Sequence, residues 1–207
     1  MSLRNKMLLA VIGSMILVVS LLTLTLWVDA VRRYQDDQNR MGELLRRVVQ
    51  DRLLANEKLL QDTESPEGWA ALTEALAFEL GYPDAEVVDL GLASVLHDIG
   101  KLRVPGSILT RASALRSDQW DVMKQHTVWG AEFLASRNRF LLAAQVARSH
   151  HERWDGGGYP DGLKGDEIPE EAAIVTVADS FDAMISRRPY REPWPIERAV
   201  AEIEACA

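Results

Sequence analysis

The chain has 207 residues, 47% of them hydrophobic, enough for one sizeable core but not for two ordinary domains once its N-terminal segment is set aside. Its 31 acidic and 23 basic residues give a formal charge of −8, which excludes broad binding to a nucleic-acid polymer and means that an anionic substrate needs metal ions or clustered arginines. The single cysteine, Cys206, excludes both a disulfide framework and a thiolate metal site.

Residues 1–6 form a short tail. Met7 to Val28 is an uncharged run of 22 residues, long enough for the roughly 20 that a helix needs to span a bilayer. It is longer than the apolar stretch of about 7–15 residues in a cleaved signal peptide, so an uncleaved anchor is expected. Trp27 suits the interface. Arg32, Arg33, Arg40, Arg46 and Arg47 outweigh Arg4 and Lys6, predicting a single-pass protein of the inner (cytoplasmic) membrane with its C-terminal side in the cytoplasm. Residues 29–62 read as an amphipathic helical linker, with Leu or Val at 44, 45, 48, 49, 53, 54, 59 and 60. Its spacing fits a homodimerising helix over 31–62 as well as a helix packed on its own domain.

Residues 63–207 read as one all-α domain. Ser65 and Pro66 start a helix that Gly81 stops, and Asp84 opens a second ending at His97-Asp98-Ile99-Gly100, where Gly100 is expected to supply a left-handed turn. Ser117-Asp118 starts the helix carrying His126, and Arg139 to His151 reads as another. Glu170 to Ser186 and the stretch from Pro195 complete the bundle. Trp120, Trp129, Trp154 and Trp194 read as packing anchors.

All four histidines fall in three motifs: His97-Asp98, His126, and His150-His151-Glu152 followed by Asp155-Gly156 and Gly158-Tyr159-Pro160. Adjacent residues diverge by about 100° on a helix, so His97 and Asp98 converge only with help from the helix end. A carboxylate can bridge two ions, Asp98 thereby joining a metal on His97 to another on His126 and one of the His150-His151 pair. Asp179, projecting from the apolar Ile174-Val175-Thr176-Val177-Ala178, needs a metal or a cation to offset its desolvation. Such mixed N/O donors suit metal-assisted hydrolysis of a phosphate ester. Glu152 reads as the partner that orients a histidine.

These residues, with Gly100-Lys101 and Arg188-Pro189-Tyr190-Arg191, resemble the HD-GYP family of cyclic di-GMP phosphodiesterases over about Leu72 to Ala201. The resemblance implies an HD-type helical bundle, which the 7–28 span and the 29–62 helix would precede. It implies a binuclear or trinuclear centre of iron or manganese and hydrolysis of cyclic di-GMP to pGpG or GMP. It makes His97, Asp98, His126, His150, His151 and Asp179 metal ligands, Asp98 and Lys101 catalytic, and Gly158, Tyr159, Pro160, Arg188 and Arg191 substrate-binding. The lysine's ammonium suits charge developing on a phosphate oxygen, and guanidiniums suit phosphate or guanine. Gly156, Gly157 and Gly158 allow a tight turn and close approach to a ligand.

Two departures matter. Where the resemblance implies an N-terminal histidine and an acidic ligand, the chain has Ser65 and Gln61, so two divalent ions are expected rather than three. The family's C-terminal Gly-Thr-x-Phe-Asp-Pro segment is also missing from the sequence. They leave two rivals to the enzyme: a regulatory module that binds cyclic di-GMP or a diguanylate cyclase partner without turnover, and an HD-type phosphohydrolase acting on other nucleotides.

Overall fold

Helix ends set by local chemistry place every later feature of the site. The computed structural model describes residues 66–111, 113–186 and 192–206. Helix α1 (Pro66–Leu80) ends where Gly81 takes φ +88°, with Gly81 N–H donating to Phe78 O at 3.0 Å and Tyr82 N–H to Ala77 O at 3.1 Å. This pair of bonds satisfies carbonyls the helix end would leave open, and only glycine takes that backbone angle freely. Helix α2 (Asp84–Leu96) follows Pro83 and carries Asp84 and Glu86 in its first turn, where acidic groups complement the helix dipole.

A 3-10 turn (Ile99–Arg103), the short α3 (Gly106–Leu109), α4 (Ser117–Ala135) and α5 (Leu141–Ser149) come next. After a long loop, α6 (Glu170–Ile185) and α7 (Ile196–Cys206) close the described chain. There is no strand among the described residues, as the periodicity predicts.

Helix α5 is central and packs on α2, α4 and α6, while α1 packs on α2 and α6. Its inward face is Ala143, Ala144, Val146 and Ala147, small enough for close approach by three neighbours. Leu76, Leu90, Ile174, Val175 and Phe181 fill the space around it and are fully buried. Each such side chain contributes roughly 1.5–3 kcal/mol through removal from water.

Two expectations change. Gly100 does not take a left-handed angle. A Cβ there would stand 1.9 Å from His126 O and 2.6 Å from Gly130 N, so glycine is needed for the contact between the 3-10 turn and α4. Placement in the inner membrane is corrected: among the described residues no helix is long and apolar enough to cross a membrane. The 7–28 span that carried that expectation, the 29–62 linker and the proposed dimer helix lie outside the described residues, as do Ser65 and Gln61.

Candidate metal centre

The donors converge because separate backbone devices aim them. His97 keeps helical angles (φ −53°, ψ −35°), but Asp98 moves to φ −98°, ψ 7° as the α-helix gives way to the 3-10 turn. That change overcomes the divergence of adjacent helical residues, and His97 Nε2 lies 3.2 Å from Asp98 Oδ2. His126 comes from the middle of α4, and His150 caps the C-terminus of α5.

Backbone carbonyls fix three of the rings. The Nδ1 atoms of His97, His126 and His150 face Ser94 O at 2.5 Å, Met123 O at 2.8 Å and Ala147 O at 3.0 Å. A carbonyl oxygen only accepts, so the proton sits on Nδ1 and Nε2 presents its lone pair to the interior. The Nε2 atoms of His126 and His150 approach to 3.4 Å, and Asp98 Oδ1 lies 3.2 Å from the first and 3.8 Å from the second. His151 completes a set in which donor atoms of Asp98, His126, His150 and His151 all lie within 4.8 Å of one another.

This geometry fits a divalent cation. Asp98 Oδ1 is buried, and no donor meets it in hydrogen-bonding geometry. An orphaned carboxylate oxygen facing two imidazole lone pairs is costly unless a cation lies among them. The other oxygen, Oδ2, turns toward His97 and accepts from the Lys101 ammonium. Asp98 thus offers one oxygen to each half of the site. Asp179, half-buried on α6, acts electrostatically on His97 and Tyr159 but stands outside the four-donor cluster.

The electrostatics follow from crowding. Burial works to raise the Asp98 pKa, but His126 and His97, aided by Lys101, hold it well below the usual carboxylate range. Burial pushes His150 well down, and burial with His126 nearby takes His151 to about 4. Burial also acts to lower His97, yet adjacent Asp98 leaves it raised. Two imidazoles are therefore ready as neutral ligands near neutral pH.

The glycine-rich loop forms one wall. Tyr159 lies 4.8 Å from the His151 ring, ring to ring, and 6.4 Å from that of His126. Pro160 follows Tyr159 through a cis peptide bond. Packing alone requires glycine at 158: a Cβ there would lie 2.4 Å from both Arg153 N and Glu152 Cα. Of its neighbours, Gly156 provides the turn, at φ +79°.

Glu152 corrects another expectation. Its buried carboxylate does not orient a histidine; Oε1 accepts from the N–H of Asp161 at 2.7 Å and of Gly162 at 3.1 Å, and Oε2 from that of Leu163 at 3.0 Å. Arg148 adds two bonds to Asp161, each 2.7 Å. This clamp escaped the sequence reading, although its signal was there: opposite charges flank the two motifs, just before His150 and just after Pro160. Trp120 is 47% exposed beside Tyr159 and is not a core anchor. Arg188 and Arg191 lie outside the described residues.

A family model for the HD domain matches residues 43–207. The chain is 48% identical over 140 residues to a cyclic di-GMP phosphodiesterase of Thermotoga maritima, covering 67% of this chain and 38% of that protein. It is 48% identical over 132 residues to the cyclic di-GMP phosphodiesterase response regulator RpfG of Xanthomonas campestris pv. campestris, covering 63% and 35%. To a 3'3'-cGAMP-specific phosphodiesterase (number 2) of Vibrio cholerae it is 40% identical over 138 residues, covering 66% and 26%. The chain thus spans about a third of the length of these curated relatives. Among solved structures, the Bdellovibrio bacteriovorus HDG"Y"P protein Bd1817 shares the fold, with a TM-score of 0.55 at 19% identity over 84% of this chain and 58% of that one.

Proposed function

We propose, because this chain belongs to the HD-domain family and to its HD-GYP group, that it is a metal-dependent phosphodiesterase hydrolysing cyclic di-GMP to pGpG or GMP. The observation that carries the reading is the buried, donorless Asp98 Oδ1 among the inward nitrogens of His126 and His150.

Two ions are proposed. His126, His150, His151 and Oδ1 of Asp98 would hold one; His97, Oδ2 of Asp98 and Asp179 would hold the other, with Asp98 bridging. The donor set is nitrogen and oxygen without thiolate, which suits iron or manganese. Bound there, the ions supply an activated water and positive charge toward a phosphate diester. The protein's part is preorganisation: the Ser94, Met123 and Ala147 carbonyls orient the imidazoles of His97, His126 and His150 before substrate arrives. Lys101 shares Oδ2 with His97 and is 39% exposed, so its ammonium can turn from the carboxylate to a non-bridging phosphate oxygen as charge develops there. Tyr159, with Gly158 and Pro160 fixing its loop, forms the wall against which the substrate rests. Arg188 and Arg191 are proposed as further phosphate or guanine contacts.

The test is to load the full chain anaerobically with Fe(II) or Mn(II), count metal per chain and follow cyclic di-GMP by chromatography. About two ions and a linear product are expected. Full loading with no product overturns the hydrolytic reading.

A further inference from the structure

Trp120 is a large aromatic side chain with no place in the core. It sits in the first turn of α4, nearly half exposed, so much of its apolar surface gains nothing from folding. Its ring lies 6.4 Å from that of Tyr159 at 74°, an edge-to-face contact. Tyr159 in turn stands 4.8 Å from His151 and 6.4 Å from His126. The rings make a continuous path from the metal-facing histidines to solvent. An edge-to-face contact covers at most one ring face, and Trp120, 47% exposed, keeps part of its ring open to solvent beside Tyr159.

We propose that Trp120, with Tyr159, is a stacking platform for a purine base of the cyclic dinucleotide whose phosphate occupies the metal centre. The inference rests on the cyclic-dinucleotide reading above. A phosphate held at the histidines carries its base one ribose away, and Trp120 lies one ring beyond the tyrosine that touches them. Stacking is drawn by the π-face, which every base has, and is indifferent to the edge that distinguishes guanine from adenine. Trp120 therefore contributes to affinity for a cyclic dinucleotide without choosing between guanine and adenine. Selection between them falls to other residues.

The test compares metal-loaded wild type, Trp120→Ala and Trp120→Phe on cyclic di-GMP, on 3'3'-cGAMP and on methyl p-nitrophenyl phosphate, a diester without a nucleobase. In Trp120→Ala, KM for cyclic di-GMP should rise roughly tenfold, with kcat changed far less. The ratio of its kcat/KM to that for the base-free diester should fall by a similar factor, and the phenylalanine variant should recover most of it. Where 3'3'-cGAMP is also cleaved, its KM should rise by the same factor. Equilibrium binding of cyclic di-GMP, read by tryptophan quenching and by dialysis, separates the possible failures. Cleavage with KM unchanged in Trp120→Ala, or an equal loss on the base-free diester, overturns the platform alone. Binding that weakens in Trp120→Ala without any cleavage in wild type overturns hydrolysis and leaves the platform standing. A wild type that neither binds nor cleaves the dinucleotide overturns both.

Discussion

Asp98 has one oxygen toward His126 and His150 and the other toward His97 and Lys101, so its charge serves both halves of the centre. Asp98→Asn preserves the shape but puts a neutral amide among the imidazoles. The loss of metal affinity should exceed the roughly 100-fold that follows removal of an outer-shell partner, and turnover should disappear with it. Metal content after desalting, measured beside activity, checks this; a variant that keeps both ions and its rate shows the bridge is misassigned. Gly158 makes a contrasting case. An added Cβ meets backbone at 2.4 Å, whereas at Gly106 it meets nothing within 4 Å. Gly158→Ala should therefore cost about 1–3 kcal/mol from overpacking and distort the Tyr159 wall, while Gly106→Ala should leave the unfolding midpoint nearly unchanged. Equal midpoints for the two variants would contradict the close approach. The sequence marked Gly158 as special but not its packing against Glu152 and Arg153, because a motif does not reveal which backbone passes beneath it.

At the scale of elements, the glycine-rich loop after α5 is held by two interactions of unequal worth. Arg148 and Asp161 are 41% and 35% exposed, so their pairing contributes about 0–1 kcal/mol despite good geometry. Glu152 is buried and satisfies three backbone N–H groups. Glu152→Gln forces an amide N–H₂ against at least one of them, and an unsatisfied buried donor costs about 1–3 kcal/mol. Hydrogen exchange at residues 161–163 should speed up more in Glu152→Gln than in Arg148→Ala. The opposite order would make the surface pair the true anchor of the loop. The elements themselves were legible: Gly81 ended α1 and Asp84 opened α2 as the sequence indicates, because caps and stops act over a few residues. The partners of Glu152 were not, since a carboxylate beside histidines satisfies metal-site chemistry equally well on paper. Trp120 escaped for a similar reason: composition cannot separate an aromatic at a rim from one in the core.

The whole molecule couples folding to the state of its centre. His150 and His151 are held neutral by burial, with His151 at about 4 against an ordinary value of 6.5. Below 6.5 the unfolded chain takes up protons that the folded one refuses, so the neutral histidines' contribution is present above that pH and is lost as pH falls toward 4. For His151 alone this amounts to about 3 kcal/mol, and His150 acts in the same direction. His97 works the other way: raised by Asp98, it contributes stability at low pH that is lost as pH rises through its folded value. Two depressed histidines against one raised one predict that the metal-free protein melts at progressively lower temperature from pH 7 to pH 4. Metal adds to the native state only. At a free-ion concentration 100 times the dissociation constant the gain is about 2.7 kcal/mol, or some 5–10 °C in a chain of this length. Protons compete for the same nitrogens, so this increment should shrink as pH approaches 4. Calorimetry with and without Mn(II) across pH 4–8 tests both slopes. A metal-induced shift of equal size at every pH would mean the ion is held by groups other than these histidines.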